Sequence, residues 1–113
     1  MKLLAPCLLV AVLVVFSVGM PANAQPNAGF VYGLGSDSCG TWNTDRHDFT
    51  THLAQFSWVE GFVTGVTLVT PTVKSRDTDA DGMEQWMDQY CQQHPLTRLI
   101  GASEALLDAL KVQ

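Results

Sequence analysis

Apolar and polar residues recur with a helical period along most of the chain, and the longest such pattern lies between residues 48 and 69. The apolar members cover a broad arc of a helical wheel: Phe56, Trp58, Val59, Phe62, Val63, Val66 and Val69. Glu60, Thr64 and Thr67 fall on the opposite side. An arc this wide predicts a central helix that is largely buried.

The sequence leaves open whether this helix continues through its last residues and whether its two glycines pack against another helix. Residues 66–70 are rich in β-branched side chains and fit a strand as well as a helix, and Pro71 ends the element in either case. Gly61 and Gly65 lie four residues apart and form a groove beside Trp58, where another helix could approach closely. Each glycine costs a helix about 1 kcal/mol relative to alanine, so close packing would have to offset that cost.

Three shorter helices complete the predicted fold. Ser38 can cap a helix that begins near Cys39 and contains Trp42. An amphipathic helix delivers Cys91 to the core, and its inner face consists of Met83, Trp86, Met87, Tyr90 and Cys91. A last helix is marked by Leu96, Leu99, Ile100, Ser103, Leu106, Leu107 and Leu110. We therefore predict an all-α fold, a small four-helix orthogonal bundle.

The first 24 residues have the pattern of a secretory signal peptide. Lys2 supplies the positive end, an uncharged apolar run covers residues 3–20, and Ala22-Asn23-Ala24 supplies the small residues of a cleavage site. An uncleaved membrane anchor is the alternative, because the run is about long enough to span a bilayer. We expect cleavage after Ala24, a periplasmic or secreted protein without membrane contact, and a single helical domain over residues 25–113.

An extended N-terminal arm is predicted between the signal peptide and the first helix. Residues 25–38 are rich in Gly, Asn and Ser and have no clear period. The glycines of GLGSDSCG do not have the spacing of a dinucleotide-binding motif, and no convincing strand precedes them. We interpret this segment as a flexible lead into the bundle.

The charge balance excludes one class of partner. The chain has six Lys and Arg against eleven Asp and Glu. Removal of Lys2 with the signal peptide leaves five against eleven, a net charge near −6. Because no basic cluster is present, we expect no nucleic-acid partner.

The cysteines predict one structural disulfide. Signal cleavage removes Cys7 and leaves Cys39 and Cys91 as a single possible pair in an oxidising compartment. Fifty-one residues lie between them, and closing such a loop stabilises a fold by about 4 kcal/mol. A redox pair is the alternative, but nothing like a Cys-x-x-Cys motif is present.

An acidic segment before the third helix has two interpretations. Positions 1, 3, 5, 6 and 12 of a twelve-residue calcium loop are matched by Asp77, Asp79, Asp81, Gly82 and Asp88. The last position is one methylene shorter than the usual Glu, and Glu84 stands where an apolar residue is usual. Alternatively, Asp81 caps the helix and Glu84 completes a capping box. We predict the cap and keep a weak calcium site as the alternative.

The sequence contains no catalytic constellation. His47, His52 and His94 lack metal-ligand spacing and are predicted to be solvated, and no nucleophile motif is visible. We therefore predict a non-catalytic protein without a cofactor. The candidate binding surface, for a protein partner or for unfolded clients, consists of Trp58, Phe62 and Trp86.

Two segments carry a resemblance to small exported bacterial helical proteins. These are WVEGFVTG from Trp58 and WMDQYCQQHPL from Trp86, with Cys39 in an early helix before them and an Ala/Leu-rich helix after them. In size, signal peptide and one disulfide between two helices, the pattern is similar to the HdeA/HdeB acid-stress chaperones. The Gly-Phe-x-x-Gly helix and the His-Pro-Leu ending also resemble the periplasmic immunity proteins of type VI secretion. The first resemblance implies binding of unfolded clients and the second implies one specific partner. Only the paired cysteines carry over as functional residues.

Overall fold

A computed structural model of the chain describes residues 29–71 and 75–112, and within these ranges the protein is helical. The helices are α1 (Cys39–Asp45), α2 (Phe49–Val69), α3 (Ala80–Gln93) and α4 (Leu99–Leu110), preceded by one 3₁₀ turn, Gly33–Ser36. The predicted all-α, four-helix fold is therefore confirmed. The predicted signal peptide, residues 1–24, lies outside the described residues. None of the four helices has the length and apolar character needed to cross a bilayer.

Side-chain caps set the beginnings of α1 and α2 where the sequence predicts them. The Ser38 hydroxyl accepts a hydrogen bond from the Thr41 amide at 3.1 Å, and the Asp48 carboxylate accepts one from the Thr51 amide at 3.0 Å. These bonds satisfy amides that have no partner inside a helix. α2 continues to Val69, so the β-branched residues 66–69 are helical.

The predicted N-cap of α3 is wrong by two residues. Asp79, not Asp81, is the N-cap, and its carboxylate accepts a hydrogen bond from the Gly82 amide at 2.8 Å. Asp81 lies in the first turn of the helix. With Asp79 as the N-cap, Gly82 occupies the third helical position, so Glu84 lies too far along the helix to close a capping box. Its carboxylate pairs with Arg46 across the bundle.

The chain segments that enter α1 and α4 are paired with each other. The amides of Cys39 and Gly40 donate to the carbonyls of Thr97 and Pro95 at 2.7 and 2.8 Å, and the Leu99 amide donates to the Asp37 carbonyl at 2.8 Å. These bonds satisfy the free amides at both helix starts. Because α4 begins only at Leu99, Leu96 belongs to the preceding turn and is 94% exposed, in contrast to its predicted place on the helix.

The core forms where the helices meet, and the predicted disulfide lies inside it. α1 and α4 each contact both α2 and α3. Cys39 of α1 and Cys91 of α3 are bonded, with their Cα atoms 4.7 Å apart, which confirms the predicted pair. The buried apolar residues around the bond are Trp42, Phe56, Val59, Val63, Met87, Leu99, Ala102 and Leu106.

The Asp48 cap is expected to make α2 sensitive to acid. The backbone hydrogen bond from Thr51 lowers the pKa of Asp48 below its ordinary value of 3.8. A depressed folded pKa means that the cap contributes stability above the unfolded pKa and loses it as the pH falls through the folded pKa. Asp48→Asn keeps an acceptor without a titrating group, so its melting temperature should depend less on pH below 4 than that of the wild type.

Thermal unfolding followed by far-ultraviolet circular dichroism at several pH values tests this expectation. Asp48→Ala removes the cap altogether and should lower the melting temperature at neutral pH, whereas Asp48→Asn should not. Parallel pH profiles for the wild type and Asp48→Asn would contradict the assignment.

Candidate functional site

An open groove of about 630 Å³ lies between the segment before α1, the helix α2 and the start of α4. We call it the aromatic groove. Its main side chains are Phe30, Tyr32, Trp58, Phe62, Ile100 and Glu104. The volume lies in the range of ordinary ligand sites, and the lining is largely apolar.

Trp58 is held in a fixed orientation on the floor of the groove. Its indole Nε1 donates a hydrogen bond to the Tyr32 carbonyl at 2.9 Å. Its ring stacks on Phe62 with centroids 5.6 Å apart and planes 9° from parallel. The polar end of the indole is therefore satisfied within the chain, and the partly exposed side chain lines the groove.

The predicted arm provides the opposite wall, and part of it is more ordered than an extended lead-in. Gly33 has a φ of 70°, in the region that favours glycine, and starts the 3₁₀ turn. Gly35 is buried against the Trp58 ring, where a Cβ atom would overlap the ring. This close approach leaves Phe30 and Tyr32 89% and 81% exposed beside the groove.

The outer face of α2 consists mostly of small and apolar residues, with the half-buried Glu60 at its edge, and it continues the groove. The predicted space beside Gly61 and Gly65 exists, because no atom lies within 4 Å of a Cβ placed at either position. No second helix of the described chain occupies it. The other exposed residues along this face are Leu53, Ala54, Ser57, Thr64 and Leu68. α2 thus presents a row of small and apolar residues beside Glu60, and the space over its two glycines is open in the structure described.

Filling this face with methyl groups should stabilise the isolated protein. Gly61→Ala and Gly65→Ala each replace a poor helix former by the best one, at sites where a Cβ meets no other atom. We expect each substitution to raise the free energy of unfolding by about 1 kcal/mol. Urea denaturation measures the change. A loss of stability would show that something in the folded protein already approaches these positions.

Of the three predicted binding aromatics, the structure brings two together and separates the third. Trp58 and Phe62 line the aromatic groove, whereas Trp86 stacks on Tyr90 with ring centroids 5.1 Å apart. Trp86 lines a different groove between α3 and α4, with Met83 among its neighbours. The predicted single surface is therefore two surfaces.

A polar network ties the end of α1 to α3. Arg46 binds the Glu84 carboxylate at 2.8 Å through Nη1 and the Asp88 carboxylate at 2.7 Å through Nη2. Asp88 also accepts a hydrogen bond from the Trp42 indole at 2.8 Å. Burial disfavours the charge on Arg46, but the hydrogen bonds and charges of the two carboxylates outweigh it and raise the pKa of Arg46.

His52 belongs to this network, so its predicted exposure is wrong. The residue is buried, and its ring meets Trp42 edge-on with centroids 4.5 Å apart. Its Nε2 lies 2.6 Å from the Glu84 carboxylate and 2.8 Å from Arg46 Nη1. Arginine only donates and an ionised carboxylate only accepts, so a single ring nitrogen cannot bond to both. The network therefore connects α1, α2 and α3, and one of the two contacts of His52 Nε2 is not a hydrogen bond. These side chains do not include a nucleophile beside a base.

Replacing Arg46 by lysine should destabilise this network. Arg46→Lys keeps the charge but loses the planar fork that reaches Glu84 and Asp88 at once. With the side chain 38% exposed, we expect a loss of about 1 kcal/mol in the free energy of unfolding, after allowance for solvent screening. Arg98→Lys, at an exposed arginine, is the matched control. Equal urea midpoints for the two variants would contradict the proposed role of the fork.

The four aspartates of the alternative calcium site do not converge on one point in the structure. Asp79 caps α3 and Asp88 binds Arg46. Asp88 lies nine positions after Asp79, a distance of about 13 Å along the helix axis. Asp77 and Asp81 are exposed near the helix start. Among residues 29–71 and 75–112, no three His, Cys, Asp or Glu side chains are placed to hold a metal ion.

Several residues of the groove were not identified from the sequence. Phe30 and Tyr32 lie in a segment without a period, and Ile100 and Glu104 belong to a helix predicted mainly from its buried face. One signal was available: Phe30 and Tyr32 are two residues apart, and alternate residues of an extended chain face the same side. Their common surface could have been predicted, but its partner on α2 could not.

Comparison of the chain with protein-family models, with characterised proteins and with solved structures finds no match. The resemblances to the HdeA/HdeB chaperones and to immunity proteins therefore stay predictions.

Proposed function

We propose that the protein is an exported, non-catalytic binding protein that holds apolar segments of other proteins in the aromatic groove, as a periplasmic client-binding protein of the HdeA-like kind. The observation that carries this proposal is the exposure of Phe30 and Tyr32 beside Trp58. Contiguous apolar surface of this kind on a small polar protein marks a site of interaction.

The way in which the groove is built favours binding of an apolar chain. Aromatic side chains bury a large area on contact and lose little conformational freedom. Trp58 is already fixed by its hydrogen bond to Tyr32 and by stacking on Phe62, so less entropy is lost when a ligand docks.

Acid stress is the condition in which such binding would be most useful to the cell. Protonation of the eleven carboxylates removes the negative charge that dominates at neutral pH. It also removes the contribution of the Asp48 cap to α2. The bond between Cys39 and Cys91 still holds α1 to α3. A loosened α2 on a tethered scaffold would then add apolar surface for unfolding clients.

A second candidate function is that of an immunity or inhibitor protein with one specific partner. The observation that favours it is that the groove is formed and fixed in the folded protein by the bond from Trp58 to Tyr32. Preformed surfaces are typical of complexes in which the partners change little on binding. In this case binding would be strongest at neutral pH.

Suppression of the aggregation of a model client at pH 3 and pH 7 tests the proposal. The wild type should protect the client at pH 3, and Trp58→Ala should lose most of this protection. Phe49→Ala, which removes an exposed aromatic ring outside the aromatic groove, should keep it. Equal protection by Trp58→Ala and the wild type would reject the groove.

Pull-downs with the same proteins separate the two candidate functions. Several acid-dependent clients would support the chaperone, whereas one partner held at pH 7 and released by Trp58→Ala would support the immunity protein. Intact-mass measurement of the exported protein tests export itself, since residues 1–24 should be missing.

A further inference from the structure

We infer that the segment bound in the aromatic groove is an amphipathic helix, apolar on the side that docks and carrying a lysine or arginine beside Glu104. The inference rests on the proposed function, because it assumes that the groove binds protein, and it adds the conformation and the charge of the bound segment.

The shape of the α2 wall indicates a helix. Ser57, Gly61 and Gly65 follow one another at intervals of four residues, and a Cβ at either glycine would meet no atom within 4 Å. Helices pack by placing ridges of side chains into grooves along such rows. Two glycines in the middle of a helix destabilise it, and no close packing within the described chain offsets this cost. A partner helix lying along this row would use the space that they leave.

The aromatic side chains determine which face of that helix docks. Trp58 and Phe62 form one continuous stacked surface beside the glycine row. Phe30 and Tyr32 stand across from it and are largely exposed. A helix lying between these walls would present apolar residues at intervals of three and four to both of them, which is the pattern of helices that bind in grooves.

The charge around the groove determines the polar residues of the partner. Glu104 is the one charged residue that lines the groove in the structure described, and no lysine or arginine lines it. The protein as a whole carries a formal charge of −5. A cationic side chain on the edge of the partner helix would neutralise Glu104 and would also be attracted over a longer range. A second copy of the acidic chain is a less suitable occupant for the same reason.

Three synthetic peptides test the inference against the mature protein at pH 7 and low salt. Each has about 18 residues, which corresponds to a helix of about 27 Å. The first has leucines at helical spacing and two lysines at the edge of the apolar face. The second has glutamates in place of the lysines. The third has the leucines and lysines of the first, with prolines at two central positions so that no helix forms.

Isothermal titration calorimetry should show that the lysine peptide binds at least about tenfold more tightly than the glutamate peptide. The proline peptide should bind more weakly than both. Glu104→Lys should reverse the preference between the two charged peptides. Asp77→Lys makes the same change of charge at an exposed site outside the groove and should preserve it. Gly61→Leu should weaken binding of the lysine peptide while the circular dichroism spectrum of the protein stays unchanged.

The outcomes distinguish this inference from the proposed function. Equal binding of the lysine and glutamate peptides would overturn the inference, and so would equal binding of the helical and proline peptides. The proposed function would still stand in that case if client protection depends on Trp58. Absence of both peptide binding and client protection would overturn both. A dimer in sedimentation equilibrium that Trp58→Ala converts to a monomer would assign the groove to a second copy of the chain and would overturn the inference.

Discussion

Replacing both Cys39 and Cys91 with alanine is expected to lower the free energy of unfolding by about 4 kcal/mol. The bond closes a loop with a sequence separation of 52 residues, and the loss of that constraint on the unfolded chain accounts for the size of the effect. Domains of this size have a total stability on the order of 5 kcal/mol. The variant should therefore be partly unfolded at growth temperature, even though both helices that the bond joins keep their caps.

Urea denaturation of the wild type with and without a reductant measures this effect. Reduction of the wild type should reproduce most of the loss seen in the double alanine variant. The variant itself should not respond to the reductant, which controls for effects of the reagent. A wild type whose midpoint does not move on full reduction would show that packing around Trp42 and Met87 stabilises the fold without the bond.

The second large effect is expected from Gly35→Ala. A Cβ at this buried position would overlap the six-membered ring of Trp58. Either the indole has to rotate or the arm has to move away, and both break the hydrogen bond from Trp58 to Tyr32. We expect a loss of about 1–3 kcal/mol in the free energy of unfolding, the usual cost of overpacking. Because the arm forms one wall of the groove, binding of the lysine peptide should be lost as well.

Gly29→Ala is the matched control for this substitution. It lies in the same arm and also lines the groove, but a Cβ there would meet no atom within 4 Å. Its melting temperature should equal that of the wild type, whereas that of Gly35→Ala should be several degrees lower. If the two variants melt alike, the arm does not pack on Trp58 in solution.

Local signals in the sequence were sufficient for the helices but not for their pairing. Ser38 caps α1 as predicted, and α2 begins where the pattern places it, because an N-cap such as Ser38 or Asp48 acts on amides only three residues away. The repeat of aspartates before α3 offers three equivalent caps, and no local rule selects Asp79 among them. Glu84 fits a capping box only with Asp81 as the N-cap, and in the structure it pairs with Arg46, which is 38 residues earlier in the chain.

The candidate site shows the same limit. The apolar arc of α2 predicted that Trp58 and Phe62 lie on one surface, and the glycines predicted the space beside them. The second wall depends on the approach of Gly35 to the Trp58 ring, a contact between residues 23 positions apart that no periodicity encodes. His52 was misassigned for a related reason, since its burial depends on the approach of Trp42 from α1 and of Glu84 from α3.

The disulfide also determines whether the protein stays in one piece after cleavage by a protease. The segment from Ser75 to Asp79 between α2 and α3 is exposed and has no helical structure. The Arg76 amide donates a hydrogen bond to the Leu110 carbonyl at 2.7 Å, so a protease can cleave there when this contact opens. A single cut after Arg76 would leave α1 and α2 on one fragment and α3 and α4 on the other. Because Cys39 and Cys91 lie on opposite sides of the cut, the two fragments would stay joined by a covalent bond. Trp58 and Glu104 would then belong to different peptides and still line one groove, so a nicked molecule would keep the aromatic groove.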